Sequence, residues 1–335
     1  MNENRISREL TEFLNASPTG FHAVDQIEKK LSQNGFLYLK ENAHWALQGG
    51  GRYYTKRNDS SLIAFSIGNA PDAHFQITAA HSDSPSFKLK HLPLLENQEY
   101  LRLNVEGYGG MISYSWMDRP LGLAGRIYVE GERGVEKRLF APDRDLCIIP
   151  SISIHYNREV NKGYAFNPQK DLCPLFSAGV LRAEDFKNML GRELDVDPVR
   201  ILAGDLYLVN RQKALLWGEG EEFISAPRLD DLACAFAALE AFLQVDNPSQ
   251  INVFALFDNE EVGSMTRQGA MSTFLSDTLQ RIDSNSGSDR EHYYKMLAGS
   301  LLVSCDNAHA KHPNHPDRTD EVNFALLNKG LVIKE

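Results

Sequence analysis

The first part of the chain alternates between helical and strand-like hydrophobic patterns. Apolar residues at helical spacing occupy residues 6–14 and 24–31, with a Ser-Pro-Thr-Gly break between them, and predict two helices. Apolar runs at residues 61–68 and 75–80 follow and predict β-strands. The second of these runs leads directly into His81.

From about residue 92 to residue 225, short β-rich runs alternate with glycine turns. The predicted strands here are residues 100–105, 125–129, 148–155, 205–209 and 213–217. The main helical pattern lies at about residues 183–190. Since the stretch has the length of a small domain, the pattern predicts a separate β-rich unit at residues 92–225.

The α/β pattern returns after residue 226. An apolar stripe at helical spacing covers residues 232–243. Residues 251–257 and 301–305 are continuous apolar runs, typical of strands buried on both faces, and a polar loop lies between them at residues 283–290. These patterns favour an α/β fold in which one domain, built from residues 1–91 and 226–335, is interrupted by the β-rich unit.

Composition and charge argue against several functional classes. Of the 335 residues 42% are hydrophobic, and 45 acidic against 35 basic side chains give a net charge of -10, which argues against nucleic acid or anionic lipid as a partner. No run approaches about 18 apolar residues, so no membrane span is predicted. The four cysteines form no CxxC pair and the N-terminus has no apolar signal region, so we expect a reducing, cytoplasmic environment.

Potential metal ligands follow three predicted strands and begin one predicted helix. They are His81 with Asp83, Asp230 with Asp231, Glu260 with Glu261, and Asp306 with His309. In open α/β sheets, ligands bind outside the carboxyl ends of the strands. Converging carboxylates repel one another unless a cation lies between them, and His with Asp or Glu suits zinc, or manganese or cobalt in a similar site. The joint placement therefore predicts a metal site.

The same residue types indicate a division of roles. Asp83 is placed to accept the second ring N–H of His81 and so to orient it. Of the adjacent Glu260 and Glu261, one would bind metal while the other acts as a base on a metal-bound water. Asp230 would bridge two metals about 4 Å apart.

Several features also have structural interpretations. Asp231 has the interpretation of an N-cap and helix-dipole partner alone, and taken singly each acidic pair is more often a surface feature. His309, His312 and His315 are separated by helix-breaking prolines and are interpreted as an active-site loop rather than as ligands. The glycine cluster at residues 107–110 lacks a strand–helix phosphate-loop context and is interpreted as a turn.

Five motifs, in order along the chain, resemble the aspartyl aminopeptidase family of dizinc metallo-aminopeptidases, metallopeptidase family eighteen, in its bacterial type. They lie at residues 79–88, 108–125, 227–230, 257–263 and 306–314. The resemblance implies a mixed-sheet α/β metallopeptidase domain with an inserted β-rich dimerisation domain. It also implies a cytosolic zinc exopeptidase whose dimers assemble into a dodecamer, with two Zn²⁺ per subunit and Mn²⁺ or Co²⁺ as other suitable ions.

The resemblance also implies a role for each residue of the site. His81 and Asp306 would hold one metal, Glu261 the other, and Asp230 would bridge them. Glu260 would be the general base, and Asp83 would orient His81. His155 would reach the active site of a partner subunit and stabilise the reacting carbonyl, and Lys334 would face an acidic side chain at the peptide N-terminus.

Members of this family continue for several tens of residues beyond the position of Glu335, and that stretch supplies a last histidine ligand to the second metal. The chain is therefore expected to be C-terminally truncated, either as a fragment or naturally. His315 is a conceivable but disfavoured substitute. The alternatives to a peptidase preferring Asp or Glu are a catalytically silent subunit retained for assembly and a dinuclear hydrolase of another bond. The absence of a phosphate-cradling glycine loop disfavours the latter.

Overall fold

The computed structural model describes residues 3–70, 73–285 and 289–334. The α-helices in these ranges are α1 (Glu3–Ala16), α2 (Gly20–Gln33), α3 (Pro168–Asp171), α4 (Ala183–Leu194), α5 (Leu229–Gln244), α6 (Phe274–Ser284) and α7 (Arg290–Ala298). None of these described helices is long and apolar enough to cross a lipid bilayer.

The strands of the same ranges lie in two large sheets and one small hairpin. They are β1 (Leu37–Tyr38), β2 (Arg52–Arg57), β3 (Ser61–Ser66), β4 (Phe75–His81), β5 (Ser86–Glu96), β6 (Leu101–Tyr108), β7 (Pro120–Gly131), β8 (Gly134–Phe140), β9 (Cys147–Ile148), β10 (Leu175–Ser177), β11 (Ile201–Asn210), β12 (Leu215–Trp217), β13 (Phe223–Ser225), β14 (Ile251–Phe257) and β15 (Leu301–Ser304).

The first large sheet, here called the central sheet, has the strand order β1-β2-β3-β14-β4-β15. Strand β14 runs antiparallel to β3 and parallel to β4, and β15 is parallel to β4, so the sheet is mixed. Apolar side chains of α2 and α5 pack on one face, and those of α6 and α7 pack on the other. All residues of β14 are consequently buried, as its uninterrupted apolar run predicts.

The register brings the carboxyl ends of the parallel strands to one edge of the central sheet. Phe257 at the end of β14 lies opposite His81 at the end of β4, and Ser304 at the end of β15 lies opposite Ala79. The segments that follow these strands therefore emerge side by side.

The second large sheet, here called the inserted sheet, contains β5 to β11 and has antiparallel strand pairs. Strand β11 pairs with both β5 and β7, so the sheet closes on itself around a core of its own. Strand β5 begins at Ser86, shortly after β4 ends, and therefore extends across the predicted boundary at residue 92. The inserted sheet thus begins beside the edge where His81 lies.

Two predicted strands differ from the structure. The strand predicted at residues 148–155 ends at Ile148, and Pro150 offers no backbone N–H to continue the ladder. The run at residues 301–305 forms a strand, but Leu301 to Ser304 are exposed, because β15 lies at the edge of the described sheet rather than inside it.

Two smaller predictions concern the polar loop and the cysteines. The predicted polar loop at residues 283–290 overlaps the last two residues of α6 and the first of α7, and its residues 286–288 lie outside the described residues. All four cysteines are free thiols, and Cys234 and Cys305 are partly rather than fully buried.

Candidate metal centre

His81 ends β4 and lies at the centre of the candidate site. Its Nδ1 lies 3.1 Å from the carbonyl oxygen and 3.3 Å from the carboxylate of Asp83. Since both neighbours are acceptors, Nδ1 carries a proton, and Nε2 faces the remaining carboxylates. Nε2 lies 3.4 Å from Asp230 and 3.9 Å from Glu260. Burial opposes a charged ring, but the hydrogen bond to Asp83 and the surrounding negative charges raise the pKa of His81 to about 9.

Asp230 and Asp231 begin α5 and present their side chains differently. The Asp230 side chain is exposed, while Asp231 is fully buried and accepts a 3.1 Å hydrogen bond from the backbone N–H of His81. Burial raises the pKa of Asp231 to about 6, although the hydrogen bond and the charge of His81 lower it. Asp231 is therefore part of the site and more than the N-cap that the sequence indicates.

Glu260 and Glu261 lie in a 3-10 turn that follows β14. The turn is flanked by Asn259 and Gly263, both in the left-handed backbone region. The backbone N–H groups of Glu260 and Glu261 each lie 3.2 Å from a carboxylate oxygen of Asp83, which fixes the turn against His81. Burial and the charge of Asp230 raise the pKa of the Glu261 carboxyl to about 7. Glu260 has a side chain that is 55% exposed and so remains accessible to a reactant.

Asp306 completes the site from the segment after β15. Its carboxylate accepts a 2.7 Å hydrogen bond from Nζ of Lys334, and both side chains are about half exposed. Partial burial would raise the pKa of Asp306, but the hydrogen bond and charge of Lys334 lower it. Lys334 therefore lies beside the candidate ligands.

The geometry and the donor chemistry both fit a cation. His81, Asp230, Asp231 and Asp306 each offer one ligand atom, and these four atoms all lie within 4.8 Å of one another. Oδ1 of Asp231 is buried and has no hydrogen-bond partner among the described residues. A buried carboxylate oxygen without a donor is costly, and a divalent cation would satisfy it. One imidazole with several carboxylates is a ligand set that suits zinc.

The other predicted residues lie outside this group. His155 is in an exposed loop that follows β9, and His309, His312 and His315 are exposed on the segment after β15. The rings of His312 and His315 lie 5.1 Å apart and contact each other.

Two residues have roles in the site that the sequence did not predict; Asp231 was among the potential ligands but was interpreted as an N-cap, and Tyr108 was given no role. Asp231 lies on the inner face of α5, one helical turn before the buried Ala235. Extending the apolar stripe of this helix back by one turn could therefore have indicated from the sequence that Asp231 faces the interior. Tyr108 at the end of β6 donates a hydrogen bond to Asp83, and no local sequence pattern predicts this contact.

Comparisons with known proteins show the family to which the chain is similar. The family model described as aminopeptidase I zinc metalloprotease (M18) matches residues 13–335. The chain is 41% identical over 343 residues to a probable M18 family aminopeptidase 2 of Clostridium acetobutylicum, which covers 99% of this chain and 79% of that protein. It is 38% identical over 353 residues to aspartyl aminopeptidase 1 of Schizosaccharomyces pombe, covering 96% of this chain and 74% of that protein.

A solved structure extends the likeness to the fold. The structure of the S. cerevisiae mApe1 dodecamer has a TM-score of 0.85 and 27% sequence identity to this chain. The match covers 98% of this chain and 78% of that one. Both large sheets thus belong to a fold already seen in a solved yeast aminopeptidase structure.

Proposed function

Because the chain belongs to the M18 family of zinc metallo-aminopeptidases, we propose that it hydrolyses the N-terminal residue of peptides and prefers Asp or Glu at that position. The observation that carries the proposal is the placement of Glu260 3.9 Å from His81, next to a His and Asp group able to hold a cation. An exposed carboxylate beside such a group suits a general base.

We assign the metal ligands from their positions. His81 and Asp306 would hold one zinc ion, Asp230 would bridge, and Glu261 would bind a second ion; Asp231 offers a carboxylate oxygen to the same group as His81, Asp230 and Asp306. Asp83 orients His81 through Nδ1. Bound zinc supplies Lewis acidity, which polarises a peptide carbonyl and lowers the pKa of a water molecule.

The residues of the chain then divide the proton transfers. Glu260 takes the proton from the attacking water and delivers it to the leaving amine. We propose that His155 acts in a neighbouring subunit, where it donates a hydrogen bond to the developing oxyanion. Its exposed position on a loop of the inserted sheet supports a role outside its own subunit.

Substrate preference is assigned to Lys334. Its ammonium group lies 2.7 Å from Asp306 and is half exposed, so it is available to a carboxylate that arrives with the substrate. The relative from S. pombe is named an aspartyl aminopeptidase, which supports an acidic N-terminal residue.

We propose that the inserted unit, residues 92–225, is a dimerisation domain through which copies of the chain assemble. The solved structure of a related dodecamer supports dimers that assemble further. Peptides and other copies of the chain are the proposed partners, and the cytoplasmic location stays a prediction.

The test is hydrolysis of Asp-anilide and Leu-anilide by the zinc-loaded chain, with a chelator control. We expect chelator-sensitive cleavage that is faster for Asp-anilide. Cleavage that survives full zinc removal would contradict the metal mechanism. A folded, zinc-bound chain that cleaves neither substrate would contradict the proposal and favour a catalytically silent subunit retained for assembly.

A further inference from the structure

Tyr108 connects the inserted sheet to the metal centre through a directional hydrogen bond. It ends β6, is buried, and donates its hydroxyl proton to Asp83 Oδ2 at 2.7 Å. The same hydroxyl accepts from the side-chain amide of Asn259 at 2.8 Å. The hydroxyl thus lies between one donor and one acceptor, both buried.

The other hydrogen bonds of Asn259 determine which atom is the donor in its hydrogen bond with Tyr108. Its Oδ1 already accepts hydrogen bonds from Thr266 and Gln268, at 2.6 Å and 2.9 Å. The amide nitrogen must therefore be the atom that faces Tyr108, and it can only donate. Because the lone pair of the hydroxyl is taken in this way, its proton is directed to Asp83.

The Asp83 carboxylate also contacts other groups at the edge of the central sheet where the parallel strands end. Beside the Tyr108 hydroxyl, it faces Nδ1 of His81 and the backbone N–H groups of Glu260 and Glu261. One carboxylate thus ties a candidate metal ligand, the turn that carries the proposed base, and the inserted sheet.

Gly109, the residue after Tyr108, makes a second and steric connection. Its φ of +73° lies in the left-handed region, and a Cβ there would be only 2.9 Å from both Cβ and Oε2 of Glu261. Only glycine therefore lets the loop close on this side chain. The glycine cluster at residues 107–110, interpreted from sequence as a turn, forms a wall of the site.

We infer that Tyr108 and Gly109 are positioning residues of the metal centre: Tyr108 holds Asp83, and thereby His81, in the orientation that binds zinc, while Gly109 fixes Glu261. This inference rests on the proposed function for its catalytic consequence only. The inserted unit then contributes to the geometry of its own subunit's site, beyond any role in assembly.

The primary test compares Tyr108→Phe with wild type in zinc affinity and in the visible spectrum of the cobalt-substituted protein. Loss of an outer hydrogen bond to a metal site typically costs 10- to 100-fold in affinity or activity, so we expect roughly 10-fold weaker zinc binding. We also expect a changed cobalt spectrum, lower kcat with KM within about twofold, and an unchanged melting temperature. Tyr207→Phe is the control, because its ring packs against that of Tyr108 and no described residue hydrogen-bonds to its hydroxyl.

A double-mutant cycle tests whether Tyr108 acts through Asp83. In an Asp83→Asn background, Tyr108→Phe should have little further effect on zinc affinity. Asn259→Asp keeps the shape but would attract the Tyr108 proton away from Asp83, so it should weaken zinc binding, and less so when Tyr108 is already Phe. Unchanged zinc affinity and cobalt spectrum in Tyr108→Phe would overturn the inference for Tyr108, as would full additivity with Asp83→Asn.

Gly109→Ala tests the steric part, with Gly110→Ala as a matched control whose added Cβ would meet no atom within 4 Å. We expect weaker zinc binding and a changed cobalt spectrum for Gly109→Ala alone, and equal behaviour of the two variants would overturn this part. These metal-binding results are independent of peptidase activity. A wild-type chain without activity would therefore refute the proposed function while leaving the positioning role to be decided by the cobalt spectra.

Discussion

The candidate metal centre has two halves of different construction. In one half, His81, Asp83 and Asp231 are buried and linked to one another by hydrogen bonds. In the other half, Asp306 and Lys334 are half exposed and form an ion pair beside β15. The first half is held by the cores of two sheets, and the second by a pair that water and salt screen.

This difference predicts how strongly substitutions in each half change metal binding, substrate choice and stability. Breaking a buried, hydrogen-bonded charge network leaves an uncompensated group, whereas an exposed ion pair contributes about 0–1 kcal/mol to stability. Changes in the buried half should therefore alter metal binding strongly. Changes in the exposed half should alter substrate choice while stability remains nearly constant.

The largest expected effect is on Glu260, whose half-exposed carboxylate lies 3.9 Å from His81. Glu260→Gln removes the proposed base and retains shape, so kcat should fall by roughly a hundred- to ten-thousandfold. Zinc content should remain that of wild type, as measured by metal analysis of the purified protein. Unchanged turnover with full zinc would refute the assignment of Glu260 as base.

The buried half is tested most directly at Asp231. Asp231→Asn removes the negative charge at a site where one carboxylate oxygen has no donor, so zinc affinity should fall about 100-fold. Competition with a chromogenic chelator measures this. Asp25→Asn, at a partly exposed aspartate paired with Lys29, is the control and should bind zinc normally. Equal affinities of the two variants would show that Asp231 is only structural.

Protons and zinc should also compete for His81 in the buried half of the site. With the pKa of His81 raised to about 9, a proton occupies the ring below that pH and must leave when zinc binds. Apparent zinc affinity should therefore rise about tenfold per pH unit above pH 7, more steeply near pH 7 where the Glu261 carboxyl also loses its proton, and level off above about pH 9. The pKa of Asp306 is lowered, so the exposed half adds no slope in this range. Chelator competition at several pH values measures the slope, and a flat profile would contradict the linkage.

The smallest effect is expected for Lys334→Ala. Because the side chain is exposed, the melting temperature should move by no more than about 2 °C, while the preference for Asp-anilide over Leu-anilide should fall several-fold. Lys162→Ala is the matched control, since Lys162 forms a similar 2.8 Å exposed ion pair with Glu159. An unchanged substrate ratio would remove Lys334 from the specificity assignment.

Much of the fold was predictable because its signals are local. The apolar run at residues 251–257 corresponds to β14, and the helical patterns near the N-terminus correspond to α1 and α2. The family resemblance is confirmed by the match over residues 13–335. The exposure of β15 was not predictable, because an apolar run has the same appearance in a central strand and in an edge strand, and only the strand order distinguishes them.

The same distinction holds for the site. Sequence alone indicated His81, Asp83, Asp230, Glu260, Glu261 and Asp306, because acidic residues directly after apolar strands are a local pattern with a known geometric consequence. The buried state of Asp231 and the contact of Tyr108 with Asp83 depended on how α5 and the inserted sheet pack.

The sequence by itself thus determined the main helices and buried strands and which residue types reach the sheet edge, since both follow from hydrophobic periodicity and chain order. The tertiary structure decided which carboxylates are buried, which face His81 and which remain in water. These properties depend on partners far apart in the chain, such as Asp83 and Glu260 at a separation of 177 positions, and on the burial that sets their pKa values.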